Sequence, residues 1–172
     1  MSDLTLTARP LTREAFAPFG DVIETRDAHH YPINNGTTER YHDLATVDVL
    51  QDSGRPLINI FRAQPQSEPV NLWVMERHPL ASQAFIPMTD QPFLVVVSDP
   101  AFDPTPDRLQ AFITDGSQGV NYHRGVWHHP VLALKAQCDF VVVDRGGSGH
   151  NCDEIELPVA VIVDYTLPDR SC

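Results

Sequence analysis

The sequence of 172 residues has little cysteine, and its cysteines are poorly spaced for cross-linking or for metal binding. Cys138, Cys152 and Cys172 are odd in number and far apart, so they indicate neither a disulfide framework nor a CxxC metal site. Apolar runs long enough to span a membrane are missing, and residues 1–16 lack the architecture of a signal peptide. These absences predict a reduced, cytoplasmic protein with no membrane partner.

Positive charge is also scarce in this chain. Its 12 lysines and arginines stand against 23 aspartates and glutamates, which gives a formal net charge of -11. A chain with this balance repels nucleic acid and anionic membranes, so neither is an expected partner. Lys135 is the only lysine. The bias toward arginine suits bidentate contacts with carboxylates, and a simple surface preference for arginine is the competing explanation.

Long helical segments are the third scarcity. The 15 prolines and 9 glycines divide the chain into short apolar runs, which predicts an all-β fold. Leu11–Phe19 is the best early helix candidate, with Thr12 as its N-cap. No helix of crossover length separates most of the runs, so we expect an antiparallel sandwich or barrel that forms one domain over residues 1–172. Asp99–Asp107 is a predicted surface loop, and the predicted strands are Asp21–Thr25, Tyr41–Val49, Pro56–Ala63, Val70–Glu76, Gln83–Pro87, Phe93–Ser98, Leu109–Ile113, Val131–Ala136, Asp139–Asp144 and Val159–Asp164.

The segment richest in reactive side chains is GVNYHRGVWHHP, residues 119–130. It contains His123, His128 and His129, and imidazoles bind metals or move protons near neutral pH. Gly125 allows a tight turn that places His128 at the start of the next strand. His129 then points away from the face of His128, so it is the least suited of the three to a shared site.

A second polar segment, ERHPLASQ, begins at Glu76. Glu76 and His78 are two residues apart, so their side chains share one face of a strand, and Gln83 can return to that face after a short turn. The spacing of both segments is similar to the metal motifs of cupin-type β-barrel enzymes, HxHxxxxE and PxGxxH. Glutamate stands for the first histidine, glutamine for the glutamate and His123 for the proline. The metal candidates are therefore His78, His128, Glu76 and Gln83.

Longer stretches of the chain resemble one enzyme family. The stretches FGDVIE, INNGTTERYHDLA, FRAQP, ERHPLASQAFIPM, FITDGSQGVNYHRGVWHHP and DRGGSGHNCD closely resemble the ureidoglycolate lyases of allantoin degradation. The resemblance runs from about Phe16 to about Asp153. It implies a cupin-type antiparallel β-barrel or jelly roll, a homodimer, and cleavage of (S)-ureidoglycolate to glyoxylate and urea. The family is also associated with a divalent metal, Ni²⁺.

The implied reaction requires several kinds of residue. One substrate carbon carries a hydroxyl, a carboxylate and a urea nitrogen, so its collapse needs a base for the hydroxyl proton and an acid for the departing nitrogen. Glu76 and His123 are the catalytic candidates. The carboxylate needs a cation, for which Arg62, Arg124 and Arg145 are the candidates.

Each role has an alternative that the residues leave open. Glu76 serves as a metal ligand, as the base or as a partner that orients a histidine. Gln83 is a weak nickel ligand by charge and softness. His123 is a proton-transfer group or a hydrogen-bonding wall residue, and Arg145 is a substrate ligand or the partner of Asp144 in a salt bridge.

The function itself also has alternatives. The preferred hypothesis is a metal-assisted lyase that releases urea. A non-catalytic cupin that binds a small carboxylate or sugar acid would use the same arginines, and its incomplete metal motif would then mark lost chemistry. An amidase that releases ammonia from the ureido group is the third hypothesis, and the resemblance favours it least.

Overall fold

Strands and turns make up most of the computed structural model, which describes residues 4–169, so Cys172 lies outside the described residues. The predicted all-β class with antiparallel sheets is confirmed. Within these residues the α-helix is α1 (Arg13–Phe16), and the strands are β1 (Leu4–Thr7), β2 (Arg9–Pro10), β3 (Gly20–Ile23), β4 (His30–Ile33), β5 (Thr38–Tyr41), β6 (Arg55–Ala63), β7 (Val70–Arg77), β8 (Gln83–Pro87), β9 (Phe93–Ser98), β10 (Leu109–Ile113), β11 (Gly119–Tyr122), β12 (Leu132–Ala133), β13 (Cys138–Gly146) and β14 (Asp153–Asp164).

The strands lie in four sheets rather than in one closed barrel, an arrangement compatible with a jelly roll. The largest sheet has the order β3-β11-β8-β13-β6, and a second has the order β12-β9-β10-β2. A third contains β1-β14-β7, and β4 and β5 form a hairpin of their own. Most neighbours are antiparallel, whereas β1 with β14 and β2 with β10 are parallel pairs.

The apolar side chains form two clusters, and β9 contributes to both of them. Val95 and Val97 belong to the cluster that also contains Phe16, whereas Leu94 and Val96 belong to the cluster around Met75 and Trp127. Successive side chains of a strand point to opposite faces. The run FLVVVS is therefore uninterrupted because both faces of this strand are buried.

The helix is shorter than its prediction, and its cap is confirmed. It covers Arg13–Phe16 rather than Leu11–Phe19, and the Thr12 hydroxyl accepts a hydrogen bond from the Ala15 amide at 3.2 Å. The chain enters β3 at Gly20. A Cβ there would lie 2.0 Å from the backbone oxygen of Asn121 on β11, so the close approach of these two strands requires a glycine.

One predicted strand is wrong. The sequence predicts a strand over Tyr41–Val49, but only Tyr41 belongs to one, and residues 42–50 are irregular. The Asp48 amide donates to the Ser82 hydroxyl at 2.8 Å, and the Ser82 amide donates to the Asp48 carbonyl at 2.8 Å. Ser82, a loop residue, thus bonds the amide and the carbonyl of Asp48, which a neighbouring strand would otherwise pair.

Other strand boundaries shift, and several short strands escape prediction. Val131–Ala136 contracts to the two residues of β12, and Val159–Asp164 extends back to Asp153, with a bulge between Glu156 and Val161. The sequence does not predict β1, β2, β4 or β11. Strand β5 is exposed along its whole length, so it lacks the apolar alternation that marks a half-buried strand, and β4 is four residues long and contains Pro32. In the described residues no helix is long and apolar enough to cross a membrane.

Candidate metal centre and active site

The backbone holds Glu76 and His128 directly opposite each other. The Glu76 amide donates to the His128 carbonyl and the His128 amide donates to the Glu76 carbonyl, both at 2.8 Å. Directly opposed residues of an antiparallel pair send their side chains to the same face. The Nε2 atom of His128 accordingly lies 3.4 Å from the Oε1 atom of Glu76.

His78 completes a group of three. The Gly125 amide donates to the His78 carbonyl at 3.0 Å. This bond links the HRG turn, residues 123–125, to the end of β7. One ligand atom from each of Glu76, His78 and His128 lies within 4.8 Å of the others. The two segments singled out in the sequence therefore meet, and three of the four predicted metal ligands come together.

Backbone carbonyls orient both imidazoles of this group. The Nδ1 atom of His78 lies 2.7 Å from the Asn151 carbonyl, and the Nδ1 atom of His128 lies 3.0 Å from the Val126 carbonyl. A carbonyl only accepts, so each Nδ1 carries the hydrogen and each Nε2 presents its lone pair to the group. His128 is buried, and its Nε2 has no hydrogen-bond partner among the described residues. The Glu76, His78 and His128 donors therefore fit a divalent metal ion.

Gln83 adjoins the group and links it to two partly buried polar side chains. Its Oε1 atom lies 3.1 Å from the Nε2 atom of His78, and its side chain also hydrogen-bonds Asp144. Asn59 donates to Asp144 at 2.9 Å, and burial raises the pKa of this carboxyl. Because Oε1 of Gln83 and Nε2 of His78 are both acceptors, the contact between them needs a shared proton or cation.

Tyr122 fixes the plane of the His128 ring. The two rings are stacked, with their centroids 4.1 Å apart and an angle of 7° between the planes. Tyr122 is buried, and its burial together with the charge of Glu76 raises the pKa of its hydroxyl. Tyr122 is therefore a neutral wall of the site and not a base.

Glu76 is ionised despite its partial burial. Burial alone would raise the pKa of this carboxyl, but the neighbouring imidazoles of His128 and His78 outweigh burial and hold the pKa below its ordinary value. The group of three thus combines one carboxylate with two imidazoles.

Comparison with known proteins identifies the family. A family model described as ureidoglycolate lyase matches residues 3–164. The chain belongs to the ureidoglycolate lyase family. A protein of that name from Burkholderia mallei is 58% identical over 154 residues, with 90% of each chain covered. The ureidoglycolate lyase of Burkholderia cepacia is 58% identical over 160 residues, covering 93% of this chain and 90% of its own.

More distant matches were also found. The ureidoglycolate lyase of Pseudomonas paraeruginosa is 57% identical over 150 residues, covering 87% of this chain and 89% of its own. A solved structure of dTDP-6-deoxy-D-glucose-3,5-epimerase from Legionella pneumophila covers 85% of this chain and 87% of its own. It does so at 16% identity with a TM-score of 0.41.

His129 lies outside the group of three in this member of the family. Its Nδ1 atom hydrogen-bonds the Pro130 carbonyl at 2.8 Å, and its ring meets Trp73 edge-on with centroids 4.2 Å apart. Burial lowers the pKa of His129 to about 4, so the ring is neutral at physiological pH. Its position agrees with the alternation that separates it from His128.

His123 lines a different cavity. Its Nε2 atom lies 3.3 Å from the Oδ1 atom of Asp21, and about half of its side chain is exposed. The cavity has a volume of about 410 Å³ and is also lined by His29 and His42. Among the described residues, no hydrogen bond or ion pair joins His123 to Glu76, His78 or His128.

The three arginine candidates have different partners. Arg62 is exposed and binds both carboxylate oxygens of Asp139 at 2.8 Å. Arg145 is buried and donates to the carbonyls of Gln51 and Asp52 rather than to Asp144. Arg124 forms an ion pair with Asp48.

Arg124 differs from the other two in having a buried guanidinium donor without a partner. Its Nε atom is buried without a hydrogen-bond partner among the described residues. In Arg62 the Nε and Nη2 atoms both donate to Asp139, and in Arg145 the same two atoms donate to backbone carbonyls.

The sequence does not predict that three further residues orient the side chains of the site. Asn151 supplies the carbonyl that orients His78, and its side chain accepts from the Leu80 amide at 2.9 Å. Asn59 and Asp144 support Gln83 from β6 and β13. The only available signal was the stretch DRGGSGHNCD, which carries the family resemblance and contains both Asp144 and Asn151.

Proposed function

We propose that this protein cleaves (S)-ureidoglycolate to glyoxylate and urea in allantoin degradation. The observation that carries the proposal is the buried Nε2 atom of His128, which faces the Glu76 carboxylate without a hydrogen-bond partner in a chain of the ureidoglycolate lyase family. No water is consumed, because the substrate hydroxyl becomes the carbonyl of glyoxylate while the carbon–nitrogen bond breaks.

A divalent metal, taken to be Ni²⁺, is part of the proposal. His78, His128 and Glu76 would hold it, with the Oε1 atom of Gln83 as the fourth donor, and imidazole is a suitable ligand for nickel. When bound, such an ion acidifies a coordinated hydroxyl and orients the substrate oxygens. The carbonyls of Asn151 and Val126 keep the two imidazoles in the tautomer that this role requires.

Proton transfer is assigned to Glu76 and His123. The Glu76 carboxylate is ionised and half-buried, so it can accept the proton of the substrate hydroxyl as the carbonyl forms. His123 belongs to the turn whose Gly125 amide binds the His78 carbonyl, and its Nε2 atom lies 3.3 Å from the Oδ1 atom of Asp21. In this role His123 donates a proton to the departing urea nitrogen.

Arg124 is the favoured anchor for the substrate carboxylate. It follows His123 in the same turn, and its buried Nε atom has no hydrogen-bond partner among the described residues. The Nε and Nη2 atoms of Arg62 donate to Asp139, and those of Arg145 donate to backbone carbonyls. A buried guanidinium donor without a partner has a free-energy cost that a bound carboxylate removes.

A homodimer is the proposed assembly, and the outer face of the largest sheet is its proposed interface. Strand β6 is the last strand of that sheet, and Ile58 and Ile60 on it are 78% and 55% exposed. Val141 pairs with Ile60 and also with Ile86, and the exposed Met88 follows directly after β8, the strand that contains Ile86. A continuous exposed apolar patch next to an open strand edge is typical of an association surface.

The proposal treats residues 1–172 as one catalytic domain that works in the cytoplasm. The family model spans residues 3–164, and the Burkholderia relatives align over about nine-tenths of their own length. The shared strand β9 supports a single domain, since it joins the two apolar clusters.

Product analysis tests the activity. Purified protein supplied with Ni²⁺ should release urea and glyoxylate from (S)-ureidoglycolate in equal amounts, and His128→Ala should lose at least about a hundredfold in rate because a metal ligand is removed. The matched control is His129→Ala, which lies outside the group of three and should retain much more activity. Early ammonia would indicate the amidase reaction, and absence of any product would overturn the proposed activity.

A further inference from the structure

Two carboxylates face each other across the pair of strands β7 and β14. Glu154 is the direct antiparallel partner of Glu76. Directly opposed residues share a face of the sheet, and like charges in that position destabilise it. Glu154 is exposed, so this repulsion lies at the solvent side of the metal group.

Cys152 adds a soft ligand to this pair. One ligand atom from each of Glu76, Cys152 and Glu154 lies within 4.8 Å of the others, as in the group of Glu76, His78 and His128. Cys152 is an exposed free thiol, so a solvated ion can reach it. Glu76 is common to both groups.

On its opposite flank, Glu76 contributes to the candidate metal group of Glu76, His78 and His128. The Nε2 atom of His128 is buried, has no hydrogen-bond partner among the described residues and is directed at the Oε1 atom of Glu76 at 3.4 Å. Glu76 therefore stands between two imidazoles on one side and a thiol with a carboxylate on the other. A carboxylate has two oxygens and can serve a cation on each side.

We propose that Glu76, Cys152 and Glu154 form a second cation position that shares Glu76 with the first and takes a thiophilic divalent cation such as Zn²⁺ or Cd²⁺. Thiolate selects soft or borderline cations over Mg²⁺ and Ca²⁺, which prefer oxygen ligands alone. Coordination releases the Cys152 proton to solvent, and the cation neutralises the repulsion between Glu76 and Glu154.

This second position gives the site a means of inhibition. A cation bound there engages the Glu76 carboxylate, which is the base of the proposed reaction, so Zn²⁺ or Cd²⁺ slows urea release. This consequence rests on the proposed function. The binding itself does not, because it is measured without substrate.

Titration of the metal-free full-length protein with Cd²⁺ tests the binding. The wild-type protein should develop a thiolate-to-metal charge-transfer absorption that saturates at one thiolate per chain. Cys152→Ser should lose this absorption, and Glu154→Gln should raise the Cd²⁺ concentration needed for half-saturation. Survival of the full absorption in Cys152→Ser would overturn the proposal.

Two matched variants and one protection experiment complete the test. Glu156→Gln removes a carboxylate from the same strand but outside the group, and Cys172→Ser removes another thiol, so both should keep the absorption of the wild type. An equal weakening by Glu156→Gln and Glu154→Gln would show only general attraction to acidic groups and would contradict the site. In the wild type, Zn²⁺ should protect Cys152 from alkylation, and unchanged alkylation of Cys152 would also contradict it.

Discussion

At the scale of single residues, His128 is held in place by three neighbours. The Glu76 backbone fixes its main chain, the Val126 carbonyl fixes its tautomer, and the Tyr122 ring fixes the plane of its imidazole. With these three contacts the Nε2 lone pair has one direction, toward Glu76 and His78. A ligand that is already oriented loses little entropy when a metal binds.

Substitution of Tyr122 should separate the packing role of its ring from any role of its hydroxyl. Tyr122→Phe keeps the stacked ring and should bind Ni²⁺ nearly as the wild type does. Tyr122→Leu frees the His128 ring and should weaken Ni²⁺ binding by about tenfold. Isothermal titration calorimetry of the metal-free proteins measures both values, and equal affinities of the two variants would contradict the positioning role.

The sequence predicts part of the site at this scale. Strand alternation, the Gly125 turn and the cupin-like spacing of both segments predict Glu76, His78 and His128 as ligands. Each of these signals acts over a few residues. Asn151 and Cys152 reach the same place from the segment that precedes β14. Which residue lies opposite Glu76 depends on the register of β14, and no local pattern encodes that register.

At the scale of elements, the irregular segment of residues 42–50 is fixed by contacts distant in sequence. The Ser82 hydroxyl and the Asp48 amide are 34 residues apart in the chain, and Asp48 also pairs with Arg124 in the turn that contains His123. A segment held in this way needs no partner strand. It also connects the loop after β7 to the HRG turn of the site.

Removal of the Ser82 hydroxyl should loosen this segment. Ser82 is buried, so Ser82→Ala leaves the Asp48 amide without its acceptor and should lower the free energy of unfolding by about 1 kcal/mol. Hydrogen exchange at the Asp48 amide should be faster than in the wild type. Ser117→Ala removes an exposed hydroxyl that bonds Asp115 and is the control. Unchanged exchange at Asp48 in Ser82→Ala would show that the hydroxyl does not hold the segment.

The predictions of strands succeed where the apolar pattern and burial agree. Strands β8, β9 and β10 have the predicted bounds, because proline, aspartate or serine bounds each buried run. The prediction over Tyr41–Val49 is wrong because the backbone groups of Asp48 bond to a loop residue, and β4 is missed because it is four residues long and contains Pro32. Propensity describes a local preference, and tertiary contacts decide the outcome.

At the scale of the whole molecule, the net charge of -11 opposes association at long range, so a dimer must be held by apolar contact. The outer face of the largest sheet provides that contact through Ile58, Ile60 and Met88. Arg62 and Asp139 lie on the same strands and pair with each other, which keeps their charges compensated beside the apolar area.

A charge placed in this face should separate the proposed dimer. Ile60→Asp puts a carboxylate at a position that is 55% exposed in one chain, so the chain should fold and remain monomeric. Analytical ultracentrifugation measures the mass in solution. Phe102→Asp alters an exposed apolar residue in the loop between β9 and β10 and should leave the dimer intact. A wild-type monomer, or a dimer that survives Ile60→Asp, would contradict this interface.

The position of β9 between the two apolar clusters has a consequence for cooperativity. Leu94 and Val96 pack on one side, and Val95 and Val97 pack on the other, so neither cluster can open without exposing one face of the same strand to water. The two clusters should therefore melt together in a single transition, and the slowest amide exchange among residues 4–169 should belong to Phe93–Ser98.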